Sequence, residues 1–339
     1  MSEFVTFDEI KAAEKRIAGT AVRTPLYRVE RARLRMAKIP EPSFDLYIKA
    51  ESEQPIGSFK LRGAYNMVSQ LSPEALKRGV ITYSSGNHAQ GVAYAARALG
   101  AKAVIVMPSN APEVKKAATR ALGAEIVEVG PASSERRIKA EELVAKHGYA
   151  MIPPYDEAEI VAGQATCGLE IVEQLPDVDL ILSPVSGGGL LSGVATGVKL
   201  AAEHGLAKPS VQVWGVEPEL AADAKESFYT KKLVEWPAEK TTRTIGDGLR
   251  TQSMGVLNFA HVLKYVDGIV TVTEEEIFAA LRMVLSTTKL VAEPSGAVTL
   301  AAALFHSHEL PRAGKVAVIL SGGNLEPALR ERLEAELAT

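Results

Sequence analysis

Short apolar runs alternate with amphipathic stretches along most of the chain. Ile10, Ala13 and Ile17 recur at helical spacing between charged residues, which predicts a helix over Phe7 to Ile17. Arg23-Thr24-Pro25-Leu26 reads as an extended link, and Asp45 to Ala50 as a short strand running into a turn rich in breakers. A helix follows from Ser58 to about Leu71. Strands are then expected at Val80 to Ser84, Ala103 to Met107, Glu125 to Val129 and Tyr149 to Ile152, separated by helices at His88 to Leu99, Glu113 to Leu122 and Glu135 to His147. The pattern resumes with a helix from Glu159 to Leu175, a strand at Leu180 to Val185, a helix after Gly189 and a strand at Val211 to Val216. The polar segment Lys225 to Thr244 reads as a surface excursion. After it come a strand at Gly268 to Val272, helices from Glu274 to about Thr288 and from Ser295 to His306, a strand at Lys315 to Leu320 and a closing helix from Glu326. Such alternation means βαβ units, hence an α/β protein of two domains with mostly parallel, open twisted sheets. The four strands from Val80 to Ile152 can form a sheet of their own. We therefore expect a small domain at 76–157 and a large one from 1–75 and 158–339, with a relative closure that matters for function.

At 339 residues, two domains are the ordinary expectation. The 38 basic and 41 acidic side chains leave a formal charge of -3, which gives no drive toward nucleic acid or an anionic membrane and favours a small-molecule partner. A single cysteine, Cys167, excludes an internal disulfide and reads as a buried thiol in a reducing compartment. No apolar run is long enough to span a bilayer, and the first residues lack a basic region followed by an apolar core, so the expected location is the cytoplasm.

The candidate chemistry starts at Gln54-Pro55-Ile56-Gly57-Ser58-Phe59-Lys60-Leu61-Arg62-Gly63-Ala64. Pro55 and Gly57 punctuate the backbone and Ser58 is placed to cap the next helix, which puts Lys60 in its first turn. The positive end of the helix dipole and the apolar neighbours, Phe59 among them, disfavour an ammonium there and promote a neutral, nucleophilic amine. A solvated surface lysine is the plainer alternative.

Two further strand-to-helix turns point at anions. Ser84-Ser85-Gly86-Asn87-His88 offers backbone amides and hydroxyls suited to a carboxylate, although capping and tight-turn geometry alone also explain it. His88 has no partner at a metal spacing and reads as a packed histidine. Ser186-Gly187-Gly188-Gly189-Leu190 brings several amides close to a helix start, as a phosphate cradle requires. No Gly-Lys-Ser/Thr follows, which argues against a P-loop. As a dinucleotide fingerprint it is broken, with Ser192 in the third glycine place and Glu217 after the next strand. A nicotinamide dehydrogenase is the rival enzyme class, and an amino-acid-binding protein the non-catalytic one. A third turn, Ser321-Gly322-Gly323-Asn324, ends the last strand. An imine-forming lysine, a phosphate cradle and a neutral hydroxyl turn together describe a pyridoxal 5'-phosphate site.

With those four motifs in order, the chain resembles the serine/threonine dehydratase and serine racemase family of fold-type II pyridoxal-phosphate enzymes, whose fold is tryptophan synthase β-like. The resemblance implies that Lys60 bonds the cofactor and acts as base at Cα, that Phe59 packs near its ring, that Asn87 bonds its 3'-hydroxyl, and that Ser186, Gly187, Gly188, Gly189 and Leu190 hold its phosphate. Ser321 would face the ring nitrogen, leaving a weaker electron sink that favours loss of a β leaving group. Gly248 and Glu293 would complete the pocket. Ser84, Ser85, Gly86, Asn87 and His88 would meet the substrate carboxylate, with Ser85 also the second acid/base of racemases, and Arg136 and Tyr155 would lie close to substrate. Glu217, Ala221 and Asp223 match a Mg²⁺ or Ca²⁺ site. Ile56 stands where a threonine is frequent, and Ser186 replaces the first of four glycines. The likeness is to the short catabolic members, with no implied feedback by isoleucine. The implied activity is conversion of L-threonine or L-serine to a 2-oxo acid and ammonia by a homodimer; serine racemisation and 3-hydroxyaspartate dehydration are the alternatives.

Overall fold

The computed structural model describes residues 4–36, 39–130 and 133–337, with side chains at 133 and 134 left aside. Its strands are β1 (Leu26–Arg28), β2 (Asp45–Lys49), β3 (Val80–Tyr83), β4 (Ala103–Pro108), β5 (Glu125–Val129), β6 (Ala150–Met151), β7 (Leu180–Pro184), β8 (Gln212–Pro218), β9 (Gly268–Val272) and β10 (Lys315–Ile319). They form two sheets, one of six strands in the order β1-β2-β10-β7-β8-β9 and one of four in the order β5-β4-β3-β6. Every pairing is parallel except β1 with β2. The parallel strands β4 and β7 are buried along their whole length, so both read as continuous apolar runs.

Helices cover both faces of the larger sheet. One apolar cluster gathers Val161, Ile171, Leu191, Val194, Val213 and Ile319; another gathers Ile48, Leu182, Ile277, Leu281, Val298 and Val318. The smaller sheet has its own layers, built on Val80, Ile105 and Met107 on one side and on Ile81, Val104 and Val106 on the other. Period-two alternation along β3 and β4 sends successive side chains to these opposite faces.

Two close helix contacts set the frame around the lysine. The helix Lys60–Val68 meets the helix Ala158–Gln174 backbone to backbone: a Cβ on Gly163 would lie 2.6 Å from Gly63 Cα. On its other side it meets the helix Asn87–Ala98 at Gly91, where a Cβ would lie 3.2 Å from the Lys60 carbonyl oxygen. The first approach requires glycine, and at Gly91 a side chain would crowd the lysine's carbonyl.

Beneath the lysine lies a buried, electrically balanced cluster. The Arg62 guanidinium forms a bidentate pair with Glu51, Nε to Oε2 and Nη2 to Oε1, both at 2.8 Å, and also donates to both oxygens of Glu170 at 2.7 and 2.8 Å. Lys49 Nζ donates to Glu170 Oε2 at 2.6 Å and to the Thr24 carbonyl oxygen at 2.7 Å. Burial disfavours the Glu51 carboxylate, yet the combined pull of Arg62, Lys49 and Thr24 outweighs it and holds its pKa below normal.

Several local expectations need correction. Ser58 does not cap the lysine helix: Phe59 stands at the cap position in helical geometry, and the Ser58 hydroxyl is buried with no hydrogen-bond partner among the described residues. The segment Lys225 to Thr244 is not a surface excursion throughout. A helix over Asp223–Thr230 buries Ser227 and Phe228, and Thr241 and Thr244 are also buried. A helix at Val256–Tyr265 has no counterpart in the sequence reading, and neither do short helices at Arg31–Met36 and Pro73–Arg78. No helix of the described residues is long and apolar enough to cross a membrane.

Candidate active site

Lys60 is the first residue of its helix, and its side chain is turned inward. Nζ donates to the carbonyl oxygen of Pro154 at 2.7 Å and lies 5.2 Å from the centroid of the Phe59 ring. Burial lowers its pKa to about 8, because nothing near it pays back the lost hydration with negative charge. The amine is therefore available as a nucleophile close to neutrality.

Pro154 belongs to a five-residue strap, Ile152-Pro153-Pro154-Tyr155-Asp156, that leaves β6 and crosses the site. It is fixed along its length. Ile152 N–H donates to the Ile81 oxygen at 2.9 Å, and the Ile152 oxygen accepts from His88 Nε2, also at 2.9 Å. Burial, with the nearby Lys60 charge, pushes the His88 pKa down to about 3, so the ring is neutral, and donation to a carbonyl places its proton on Nε2. At the far end, Asp156 accepts from the N–H groups of Val256, Leu257 and Asn258 at 3.0 to 3.2 Å, capping the helix Val256–Tyr265 from a hundred residues away.

Between these ends Tyr155 lies on the glycine loop. A Cβ on Gly187 would fall 2.4 to 2.6 Å from three atoms of the Tyr155 ring, and one on Gly189 would fall 2.9 Å from Tyr155 Cβ. Gly188 adopts φ 94° and its Cβ would meet Asn258 at 2.8 Å. The glycine run is thus dictated by protein packing as well as by the backbone turn. The helix Gly189–Glu203 begins here with no side-chain cap, which leaves its first-turn amides open, among them that of buried Leu190. Ser186 shares a 2.6 Å hydrogen bond between its hydroxyl and that of Thr251, whose N–H also donates to Ser186 Oγ at 3.2 Å.

The other motifs meet the lysine turn from the opposite side. Phe59 N–H donates to the Ser321 carbonyl at 3.1 Å, Gly323 N–H donates to the Gly57 carbonyl at 2.9 Å, and Ser58 bridges to Gly322. Asn324 Nδ2 donates to the Ile56 oxygen at 3.0 Å and to Asn87 Oδ1 at 2.7 Å, while Asn87 Nδ2 donates to Glu293 Oε1 at 2.6 Å. Burial, reinforced by Asp247, raises the Glu293 carboxyl to about 7. Gly248 is tied in through its N–H, which donates to Ser295 Oγ at 2.8 Å. Ser84, Ser85 and Gly86 form the turn before Asn87, and Gly86 leaves that helix start uncapped as well. Arg136 is half-buried close to Tyr83; burial lowers its pKa, and Tyr83 acts in the opposite sense.

Glu217, Ala221 and Asp223 lie outside this convergence, at the end of β8 and the start of the helix Asp223–Thr230. Glu217 Oε1 accepts from Lys225 N–H at 2.7 Å, but Glu217 Oε2 and Asp223 Oδ2 are buried without a hydrogen-bond partner among the described residues. Burial raises both carboxyls, Asp223 to about 7, and Asp223 also raises Glu217. No group of three or more His, Cys, Asp or Glu side chains among the described residues is arranged as a metal site.

Sequence reasoning did not single out Pro154, Asp156, Thr251 or Asn258. A main-chain oxygen has no sequence signal, and the helix carrying Asn258 is capped by a remote residue, so its start lacks a local signature.

Known proteins carry the same architecture. The yeast Saccharomyces cerevisiae has an L-threo-3-hydroxyaspartate ammonia-lyase that is 37% identical over 95% of this chain and 94% of its own. An L-threonine ammonia-lyase of Thermotoga maritima is 39% identical over 97% of this chain and 78% of its own. The crystal structure of serine racemase from Dictyostelium discoideum superposes with a TM-score of 0.85 at 36% identity, covering 95% of this chain and 99% of that one. The family described as pyridoxal-phosphate dependent enzyme matches residues 17–322, a span that takes in the lysine turn, the strap, the glycine loop and the first two residues of the last turn. This chain belongs to that family.

Proposed function

We propose that this enzyme is an ammonia-lyase that removes the β-hydroxyl and then the amino group of L-threonine or L-serine, giving a 2-oxo acid and ammonia. The observation that carries the reading is Lys60, a buried amine with its pKa lowered to about 8, joined through one strap to an uncapped glycine-rich helix start.

The residues fit pyridoxal 5'-phosphate. Open amides at Gly187 to Leu190 suit its phosphate, Lys60 Nζ suits its aldehyde carbon, and the Ser321 turn is held against Phe59 on the other side. When bound, the group supplies an electron sink for the charge that develops at Cα. Lys60 Nζ would accept the α-proton when it is not bonded to the cofactor, and in the cofactor-free protein the Pro154 oxygen receives the free amine. In this reading Ser84, Ser85 and Gly86 orient the substrate carboxylate at the uncapped start of the Asn87 helix, and Ser85 is the second acid/base of the alternative racemisation. Asn87, held by Glu293, would bond the cofactor's 3'-hydroxyl, and Gly248, tied to Ser295, would line the same pocket. His88, locked neutral on Ile152, acts through the strap. Tyr155, its phenol raised to about 12 chiefly by burial, is a packing surface for the glycine loop with no role as a base. A hydroxyl at Ser321 cannot protonate the ring nitrogen as a carboxylic acid can, which favours elimination over transamination.

Glu217, Asp223 and the Ala221 carbonyl form a Mg²⁺ or Ca²⁺ site in this reading, since a hard cation would answer two buried, unpaired carboxylate oxygens. Residues 76–157 constitute the small domain and 1–75 with 158–339 the large one, and the enzyme works as a homodimer in the cytoplasm.

Arg136 supports a second reading. A half-buried guanidinium beside the substrate turn suits a substrate with a second carboxylate, as in 3-hydroxyaspartate. Assay of oxo acid, ammonia and D-serine from L-threonine, L-serine and L-threo-3-hydroxyaspartate decides between them. Turnover of the dicarboxylic substrate alone, or racemisation without oxo acid, would overturn the first reading.

A further inference from the structure

Asn258 sits where the strap, the glycine loop and the helix behind that loop meet. It is fully buried and uses every hydrogen-bonding group it carries on the side chain. Nδ2 donates to the Gly187 carbonyl at 2.8 Å and to the Tyr155 carbonyl at 3.2 Å, and Oδ1 accepts from Ser192 Oγ at 2.9 Å. The reverse orientation of the amide would set Oδ1 against two carbonyl oxygens, so the arrangement is fixed by its neighbours. The main chain is held as well, by Asp156 Oδ1 accepting from Asn258 N–H at 3.2 Å, and Cβ fills the space that a side chain at Gly188 would need.

We infer that Asn258 is a positioning residue for the cofactor: by tying Gly187 to Tyr155, it holds the open amides of the glycine loop in the arrangement that accepts a phosphate. The same clamp sets the strap and therefore the Pro154 oxygen that receives Lys60. This inference rests on the reading of the glycine loop as a phosphate cradle. A residue that merely filled the core would change stability without distinguishing one ligand from another.

The test compares pyridoxal 5'-phosphate with pyridoxal, which lacks the phosphate. Full-length protein freed of cofactor, wild type and Asn258→Ala, is titrated with each and followed by visible absorbance, with folding checked by circular dichroism. The variant is expected to lose about tenfold or more in affinity for the phosphorylated ligand and less than about twofold for pyridoxal. Ser192→Ala removes only the hydroxyl that orients the amide, and it should show a smaller loss of the same selectivity; it carries the test if Asn258→Ala does not fold. Equal losses for both ligands, or a stability change alone, would overturn the role of Asn258. A wild-type protein that binds both ligands equally would instead remove the phosphate reading of the loop, and the inference with it.

Discussion

Lys60 Nζ donates to the main-chain oxygen of Pro154 at 2.7 Å, so the reactive amine is received by backbone and not by a carboxylate. A neutral acceptor leaves burial as the dominant influence and keeps the pKa near 8. Since the free amine is the nucleophile, the rate at which cofactor-free protein captures pyridoxal 5'-phosphate should rise with pH and level off above about 8, once allowance is made for the ligand's own ionisation. Lys60→Ala should abolish both the visible imine absorbance and the release of ammonia. Retained absorbance in that variant would count against Lys60 as the anchor.

Gly187 and Tyr155 provide a steric test of the loop. Gly187→Ala drives a methyl into the Tyr155 ring, and overpacking of this kind costs about 1–3 kcal/mol. Cofactor affinity should fall accordingly. In a Tyr155→Ala background the same substitution should cost much less, a coupling that a double-mutant cycle measures directly.

Arg62 is predicted to matter through folding. Arg62→Leu leaves Glu51 and Glu170 with only Lys49 to offset two buried carboxylates, and loss of one member of a buried ionic group costs about 3–5 kcal/mol. Denaturant unfolding should show the loss, whereas removing an exposed, solvent-screened pair such as Arg137 and Glu141 should leave the unfolding midpoint nearly unchanged.

The Glu217–Asp223 pair predicts a cation effect with a definite sign. Burial raises Asp223 from 3.8 to about 7, so the folded state takes up a proton in that window and stability from this group falls as pH rises through it. A bound Mg²⁺ or Ca²⁺ answers the ionised pair. The gain in Tm on adding cation should therefore be larger at about pH 8 than at about pH 5, and Asp223→Asn should remove the Asp223 share of the slope, leaving that of Glu217, and weaken the gain. Equal gains at both pH values would argue against this site.

Much of the frame is legible in the sequence because its signals are local. The alternation from Val80 to Ile152 and the apolar runs at Leu180 and Lys315 correspond to parallel strands; direct βαβ connection sets neighbours such as β3 with β4 and β7 with β8, but not the place of β10 between β2 and β7. The lysine turn and the glycine turns were likewise marked by breakers within a few residues. What escaped is held together over long chain separations. Asp156 caps a helix a hundred residues later, and Lys49, Glu51, Arg62 and Glu170 become one neutral cluster only after three segments pack. Ser58 looked like a cap because of its type and place, yet Phe59 already adopts helical angles, which leaves the serine hydroxyl without that job. Asn258 gave no signal, since an asparagine between Leu257 and Phe259 resembles any surface polar residue of an amphipathic helix.

The contact of Gly63 with Gly163, and of Gly91 with the Lys60 carbonyl, has a consequence for descent with modification. The lysine's helix is packed against backbone on two sides, where a side chain added at Gly163 would collide and one added at Gly91 would crowd the Lys60 carbonyl. The turn at Ser84 to Gly86 follows β3 of the smaller sheet, and Arg136 lies on the helix Ser133–His147 that packs against that sheet. Substitutions at that turn leave these backbone contacts, and so the placement of the amine, untouched.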